Sequence, residues 1–149
     1  PAYPILQPLQ TTVLPSSSER LGGTMIFIWM RPSVYVESSG YFELHSPQAF
    51  EIGCSKLLLI SMPAGKCRSY RDTSGTELND VHQIVEIQLA KGVFLLPNNE
   101  YELALRGRNP SVLATGPERF WGVMLRSAMR TVLEANFEIP PYNLTVSGM

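Results

Sequence analysis

Apolar residues in this chain come in short alternating runs, and Pro, Gly, Asn or Asp closes nearly every run. From Gln83 to Leu89, Val85, Ile87 and Leu89 fall on one side and Glu86 and Gln88 on the other. Tyr101, Leu103 and Leu105 alternate in the same way with Glu102 and Arg106. A period of two is the mark of a half-buried antiparallel strand. Thr24–Met30 is instead continuously apolar, β-branched and aromatic, which predicts a strand buried on both faces. Val34–Val36, Tyr41–Leu44, Phe50–Cys54 and Leu57–Ile60 read as further short strands, with Pro47 ending the second of these. Residues 63–80 read as a loop because Pro63, Gly65, Gly75, Asn79 and Asp80 are turn formers.

Residues 120–139 admit two readings. Met124, Leu125, Ala128, Met129, Val132 and Leu133 fit a helical stripe, while Trp121, Val123 and Leu125, then Leu133, Ala135 and Phe137, fit two strands. Two strands joined near Ser127–Arg130 are preferred, because a helix here has neither an N-cap nor a C-terminal Gly. Many short strands with turn signals at roughly 8–12-residue spacing define an all-β chain, an antiparallel β-sandwich of the immunoglobulin or fibronectin-III kind.

The first 22 residues differ. Pro1, Pro4, Pro8 and Pro15 exclude regular helix. Either this arm is a linker, or it docks as an added edge strand on its own domain or on a neighbouring copy, burying Tyr3, Ile5, Leu6, Leu9, Val13 and Leu14. The expected organisation is therefore an arm over 1–22, a sandwich over 23–142, and a tail or the start of a further segment over 143–149. Pro1 at the start, without a basic and apolar leader, and the abrupt apolar-polar end lead us to expect a processed chain or a piece of a longer one.

Function classes narrow by composition. The chain has 149 residues, 44% hydrophobic and 17% charged, enough for one domain with a true core. A net charge of −1 offers no global attraction to nucleic acid or anionic membrane, and no stretch reads as a membrane span. Catalytic equipment is thin, with two His and two Cys. His45 and His82 belong to no nucleophile motif. Asp72–Gly75 is an aspartic-protease-like Asp-Thr-Gly broken by an inserted Ser, without the second copy that a carboxyl pair needs. Asp72, Glu77, Asn79 and Asp80 do not have EF-hand spacing, so no metal or other cofactor is expected.

Two features, the cysteines and a sequon, point outside the cell. Cys54 and Cys67, the only cysteines, flank one turn-rich stretch and suit a disulfide better than two buried thiols. Asn143-Leu-Thr145 is a glycosylation sequon, whereas Pro110 disqualifies Asn109-Pro110-Ser111. Nine of the twelve cations are Arg, and Arg106, Arg108, Arg119, Arg126 and Arg130 crowd the C-terminal half. They form either a solvated face paired with nearby Glu or a contact for a protein or an acidic glycan, since guanidinium forks bind carboxylates and sulfates bidentately.

The order of Thr24–Ile28, an aromatic strand ending at Pro47, Cys54 just beyond Phe50, Val85–Leu89, Tyr101–Leu105, Asn109-Pro110, Trp121 and Phe137–Ile139 resembles a known family. It is similar to the β-sandwich repeats of very large secreted or surface proteins of protists, alveolates in particular, over residues 23–139. The resemblance leaves out the arm and the 63–80 segment. It implies a non-catalytic extracellular module of a fibre, flagellar hair or cell coat that packs against copies or neighbouring domains. The alternative is a carbohydrate- or protein-binding adhesion module using exposed aromatics such as Tyr35, Tyr41, Tyr70 or Trp121. A binder of that kind lines one concave surface with aromatics, whereas a building block places apolar side chains in contacts between chains.

Overall fold

The computed structural model describes residues 8–72 and 82–145. Within them lie nine strands: β1 (Gln10–Pro15), β2 (Gly23–Arg31), β3 (Tyr41–His45), β4 (Glu51–Ile52), β5 (Gly65–Asp72), β6 (His82–Leu89), β7 (Tyr101–Arg108), β8 (Trp121–Arg126) and β9 (Val132–Ile139). A single 3-10 turn, Gly116–Arg119, precedes β8. The strands form a four-stranded sheet, β1-β2-β7-β4, and a five-stranded sheet, β5-β6-β3-β8-β9, with every pair antiparallel. The molecule is thus the β-sandwich that the alternation predicts. Asn79, Asp80, Glu77 and residues 73–75 of the broken protease motif lie outside the described residues, as do Tyr3, Ile5 and Leu6 of the arm.

One core joins the two sheets. Ile26, Ile28 and Met30 of β2 and Leu103 and Leu105 of β7 belong to the same buried cluster as Phe42, Leu44, Val85, Ile87, Trp121, Val123 and Leu125. Trp121 is fully buried and packs edge-on against Phe50, with Tyr142 stacked beside it. Truncating such a side chain costs about 3–5 kcal/mol.

Four expectations change. β2 is buried on one face only: Ile26, Ile28 and Met30 point inward, while Met25, Phe27 and Trp29 point outward. A sandwich covers only the inner face of each sheet, so the continuous run does not mean two buried faces. Trp29 is therefore half-exposed, its Nε1 donating to Glu100 Oε1 at 3.1 Å. Residues 65–72, read as loop, form the edge strand β5, paired along its length with β6. Backbone pairing and the Cys67 disulfide hold this strand, since Lys66, Arg68 and Ser69 break the apolar alternation that would mark it in the sequence. Gly65 is needed there, because a Cβ would lie 2.6 Å from Ile87 and 2.9 Å from the Gln88 carbonyl. Val34–Val36 is reduced to a single bridge, Val36 to Leu95. Leu57–Ile60 is likewise reduced to one bridge, Leu58 to Ala104.

The arm joins the sheet. β1 pairs with β2 from Gln10–Arg31 to Pro15–Ile26, so residues 10–15 dock on their own domain as an added strand. Leu9 closes the seam to the other sheet: its N–H donates to Ala135 O at 3.1 Å, and Asn136 Nδ2 donates to Leu9 O at 3.1 Å. Residues 124–135 are two strands, not a helix. The turn between them is closed by Ser127 N–H to Thr131 O at 2.9 Å, with Arg130 at φ 68°.

Buried Asn109 ties residues 17–19 to Tyr142. Its Nδ2 donates to Ser17 O and Glu19 O, each at 2.9 Å, and its Oδ1 accepts from Tyr142 Oη at 2.6 Å. Thr145 bridges to Glu19 in parallel beside it.

Candidate functional site

The outer face of the four-stranded sheet carries an uncovered apolar row. Antiparallel register sets Leu14 opposite Phe27 and Phe27 opposite Ala104, and the bridge at Leu58 extends the row past β7. Residues directly opposite in an antiparallel pair share a face. Leu14, Phe27 and Leu58 are 58%, 40% and 54% exposed. Ala104 lies buried between Phe27 and Leu58. Trp29 and Ile60 adjoin the row, because Leu57 and Leu59 turn toward the core and leave Leu58 and Ile60 outside. Charge flanks the row on β7, with Glu102 two residues before Ala104 and Arg106 two residues after it, both exposed.

The disulfide holds one end of this face. Cys54 follows β4 at the edge of the four-stranded sheet, and Cys67 lies in β5 at the edge of the five-stranded sheet. The bond staples the two sheets and anchors the segment that carries Leu58 and Ile60.

The outer face of the five-stranded sheet is built differently. Glu43 and Glu86 stand directly opposite on β3 and β6, and both are nearly inaccessible, at 3% and 4%. Cations cover them. Arg126 Nε donates to Glu43 Oε2, Arg130 Nη1 to Glu86 Oε2 at 3.0 Å, and Arg68 Nη2 lies 3.4 Å from Glu86 Oε1. Two guanidinium groups then lie over aromatic rings, Arg130 on Tyr41 at 4.3 Å and Arg68 on Tyr70 at 4.8 Å. Burial pushes the Glu43 carboxyl up, but contact with His45 and the hydrogen bond and charge of Arg126 outweigh it and hold it at about 2. Burial and the neighbouring Glu43 and Glu86 charges raise the Tyr70 phenol. His45 sits 3.5 Å from Glu43 Oε1 and edge-on to Phe137, whose ring lies over Gly122, where a Cβ would come within 2.2 Å.

The five arginines do not share a face. Arg106 and Arg108 lie on β7 of the four-stranded sheet, Arg119 in the 3-10 turn, and Arg126 and Arg130 over the five-stranded sheet. Arg126 and Arg130 are engaged with Glu43 and Glu86. Arg119 donates to Gly116 O and lies over Phe120. Arg106 and Arg108 make no ion pair among the described residues and line an open depression of about 480 Å³ with Leu21, Glu51 and Ser55. The four aromatics named for ligand contact are also apart. Tyr35 meets Phe94, Tyr41 lies under Arg130, Tyr70 lies under Arg68, and Trp121 is core. Asn143 is exposed. No cluster of three or more His, Cys, Asp or Glu able to hold a metal occurs among the described residues. None of their helices is long and apolar enough to cross a membrane.

An antiparallel β-sandwich with one apolar and one charge-covered outer face is the class that fold and surface define. No protein-family model matches the chain, and no curated protein sequence matches it significantly. Its fold is similar to that of CBM3b of the major scaffoldin subunit ScaA from Acetivibrio cellulolyticus, at 13% identity and TM-score 0.49, covering 85% of this chain and 95% of that one. A CBM3 of Hungateiclostridium clariflavum aligns at 10% identity and TM-score 0.44, over 84% and 95% of the two chains. A non-cellulosomal cohesin from the hyperthermophilic archaeon Archaeoglobus fulgidus aligns at 9% and 0.35, over 84% and 83%.

Proposed function

We propose that this domain is a non-catalytic structural module of an extracellular or cell-surface assembly, a sandwich repeat that acts by packing its four-stranded face against a neighbouring domain. The apolar row Leu14–Phe27–Ala104–Leu58 carries the reading. Contiguous apolar surface rimmed by charge marks an interaction site, and fully burying a Leu or Phe stabilises by roughly 1.5–3 kcal/mol. The row is mostly aliphatic and lies across a sheet, which suits another protein surface better than the ring face of a sugar. Phe27 and Trp29, neighbours on one exposed strand, are the feature that favours the alternative, a carbohydrate-binding face.

The described residues offer little support for catalysis. His82 Nδ1 is bonded to the Ser46 carbonyl at 2.9 Å and His45 is confined by Glu43 and Phe137. The Cys54–Cys67 bond and the exposed Asn143 sequon support an oxidising, secretory setting. The test is a Phe27→Ser/Leu58→Ser variant expressed in place of the natural chain, beside a Met129→Ser control away from the face. The face variant is expected to fold and to be lost from the assembly while the control is retained. Equal retention of both overturns the reading.

A further inference from the structure

Symmetry and charge on the four-stranded face identify its occupant. We propose that the face packs against a second copy of this chain, related by a two-fold axis lying along the row Leu14–Phe27–Ala104–Leu58. This rests on the packing role proposed above and names the partner.

The face is self-complementary about that row. On β7, Glu102 lies two residues before Ala104 and Arg106 two residues after it. On β2, Met25 and Trp29 lie two residues on either side of Phe27. A two-fold axis along the row reverses the strands of the second copy. Each Glu102 then meets Arg106 of the other copy, and each Trp29 meets the other Met25. An axis along β7 would set Glu102 on Glu102 and Arg106 on Arg106, and one along the strands between β2 and β7 would set Glu102 on Trp29 and Arg106 on Met25, so of these only the axis along the row pairs the opposite charges. Neither Glu102 nor Arg106 makes an ion pair within the chain among the described residues, so both are free for this use. Such an interface is isologous, each contact occurring twice. Four strands about 4.8 Å apart and three outward-facing rows give a patch of roughly 20 Å by 20 Å. That is about 400 Å², half of the roughly 800 Å² per partner of a standard specific interface, so the dimer is a weak one that forms only at high concentration. Reciprocal charge pairs matter most in a contact of that size.

Charge reversal followed by sedimentation equilibrium of the whole chain tests this. The wild-type chain is expected to reach twice its 16.6 kDa as concentration rises. Glu102→Arg alone and Arg106→Glu alone each weaken association at least tenfold by placing like charges together. The double variant Glu102→Arg/Arg106→Glu restores the dimer, and an equimolar mixture of the two single variants forms heterodimers. Both positions are exposed, and unchanged circular dichroism verifies folding. A chain that stays monomeric throughout overturns the inference, as does a double variant no better than the singles. If the chain is monomeric but Phe27→Ser/Leu58→Ser is still lost from the assembly, the second copy is excluded and the packing role survives. If that variant is retained as well, both fall.

Discussion

Reducing the Cys54–Cys67 bond perturbs two levels of the structure at once. The bond closes a loop over a sequence separation of 13. In the chain-entropy view, a loop of that size removes about 3 kcal/mol of denatured-state freedom. It also joins the edges of opposite sheets, and between its ends runs the segment whose Leu58 exchanges both backbone hydrogen bonds with Ala104, at 2.8 and 2.9 Å. Stability is therefore expected to fall by about 3 kcal/mol on reduction, read from guanidinium denaturation as a lower midpoint, with a steeper slope because the reduced denatured chain is less compact. The loss is also expected to be local. Amide exchange at Leu58 and Ala104 rises first, while Ile26 and Ile28, central in the same sheet, stay protected until global unfolding. A midpoint unchanged by reduction, or exchange that accelerates evenly over both sheets, refutes the stapling role.

Three further outcomes follow from the geometry. Trp121→Ala costs about 3–5 kcal/mol of stability and Trp29→Ala distinctly less in thermal or chemical melts, because only the first is core; equal losses contradict the one-sided burial of β2. Glu43 is held at about 2 against a usual 4.5, so the folded state gains on the order of 3 kcal/mol above pH 4.5, lost as pH falls toward 2. Glu43→Gln should flatten that part of the stability–pH curve, and an unchanged acid limb removes the ion-pair account. Chain secreted from a eukaryotic host should lose mass on deglycosylation and Asn143→Gln should not, and a wild-type mass unchanged by deglycosylation means the sequon is unused.

The sequence shows the inner faces of this sandwich more clearly than its outer ones. Val85, Ile87 and Leu89, or Leu103 and Leu105, alternate because one side of each strand meets the core, so β6 and β7 are legible from spacing. β5 is not, because an edge strand held by backbone pairing and a disulfide needs no apolar alternation, and Lys66, Arg68 and Ser69 look like loop. The continuous run Thr24–Met30 carries the missed signal. Its surplus residues Met25, Phe27 and Trp29 belong to neither loop nor core and mark an outer surface. Its extension to Leu14 and Leu58 depends on strand register, which no local pattern contains. The arginines mislead for the same reason, since Arg106 and Arg126, close in sequence, lie on opposite sheets. Asn109, singled out only by its place before Pro110, serves as a buried junction of the arm, β7 and Tyr142.

The central claim is that the four-stranded face, and not its charge-covered counterpart, is the packing surface. Hydroxyl-radical footprinting of the isolated chain and of the native assembly measures this directly, residue by residue. The account predicts that Phe27, Trp29 and Leu58 are oxidised in the isolated chain and protected in the assembly, while Tyr70 and Phe137 are oxidised alike in both. Equal oxidation of Phe27, Trp29 and Leu58 in the two states, with protection appearing at Tyr70 and Phe137 instead, contradicts it.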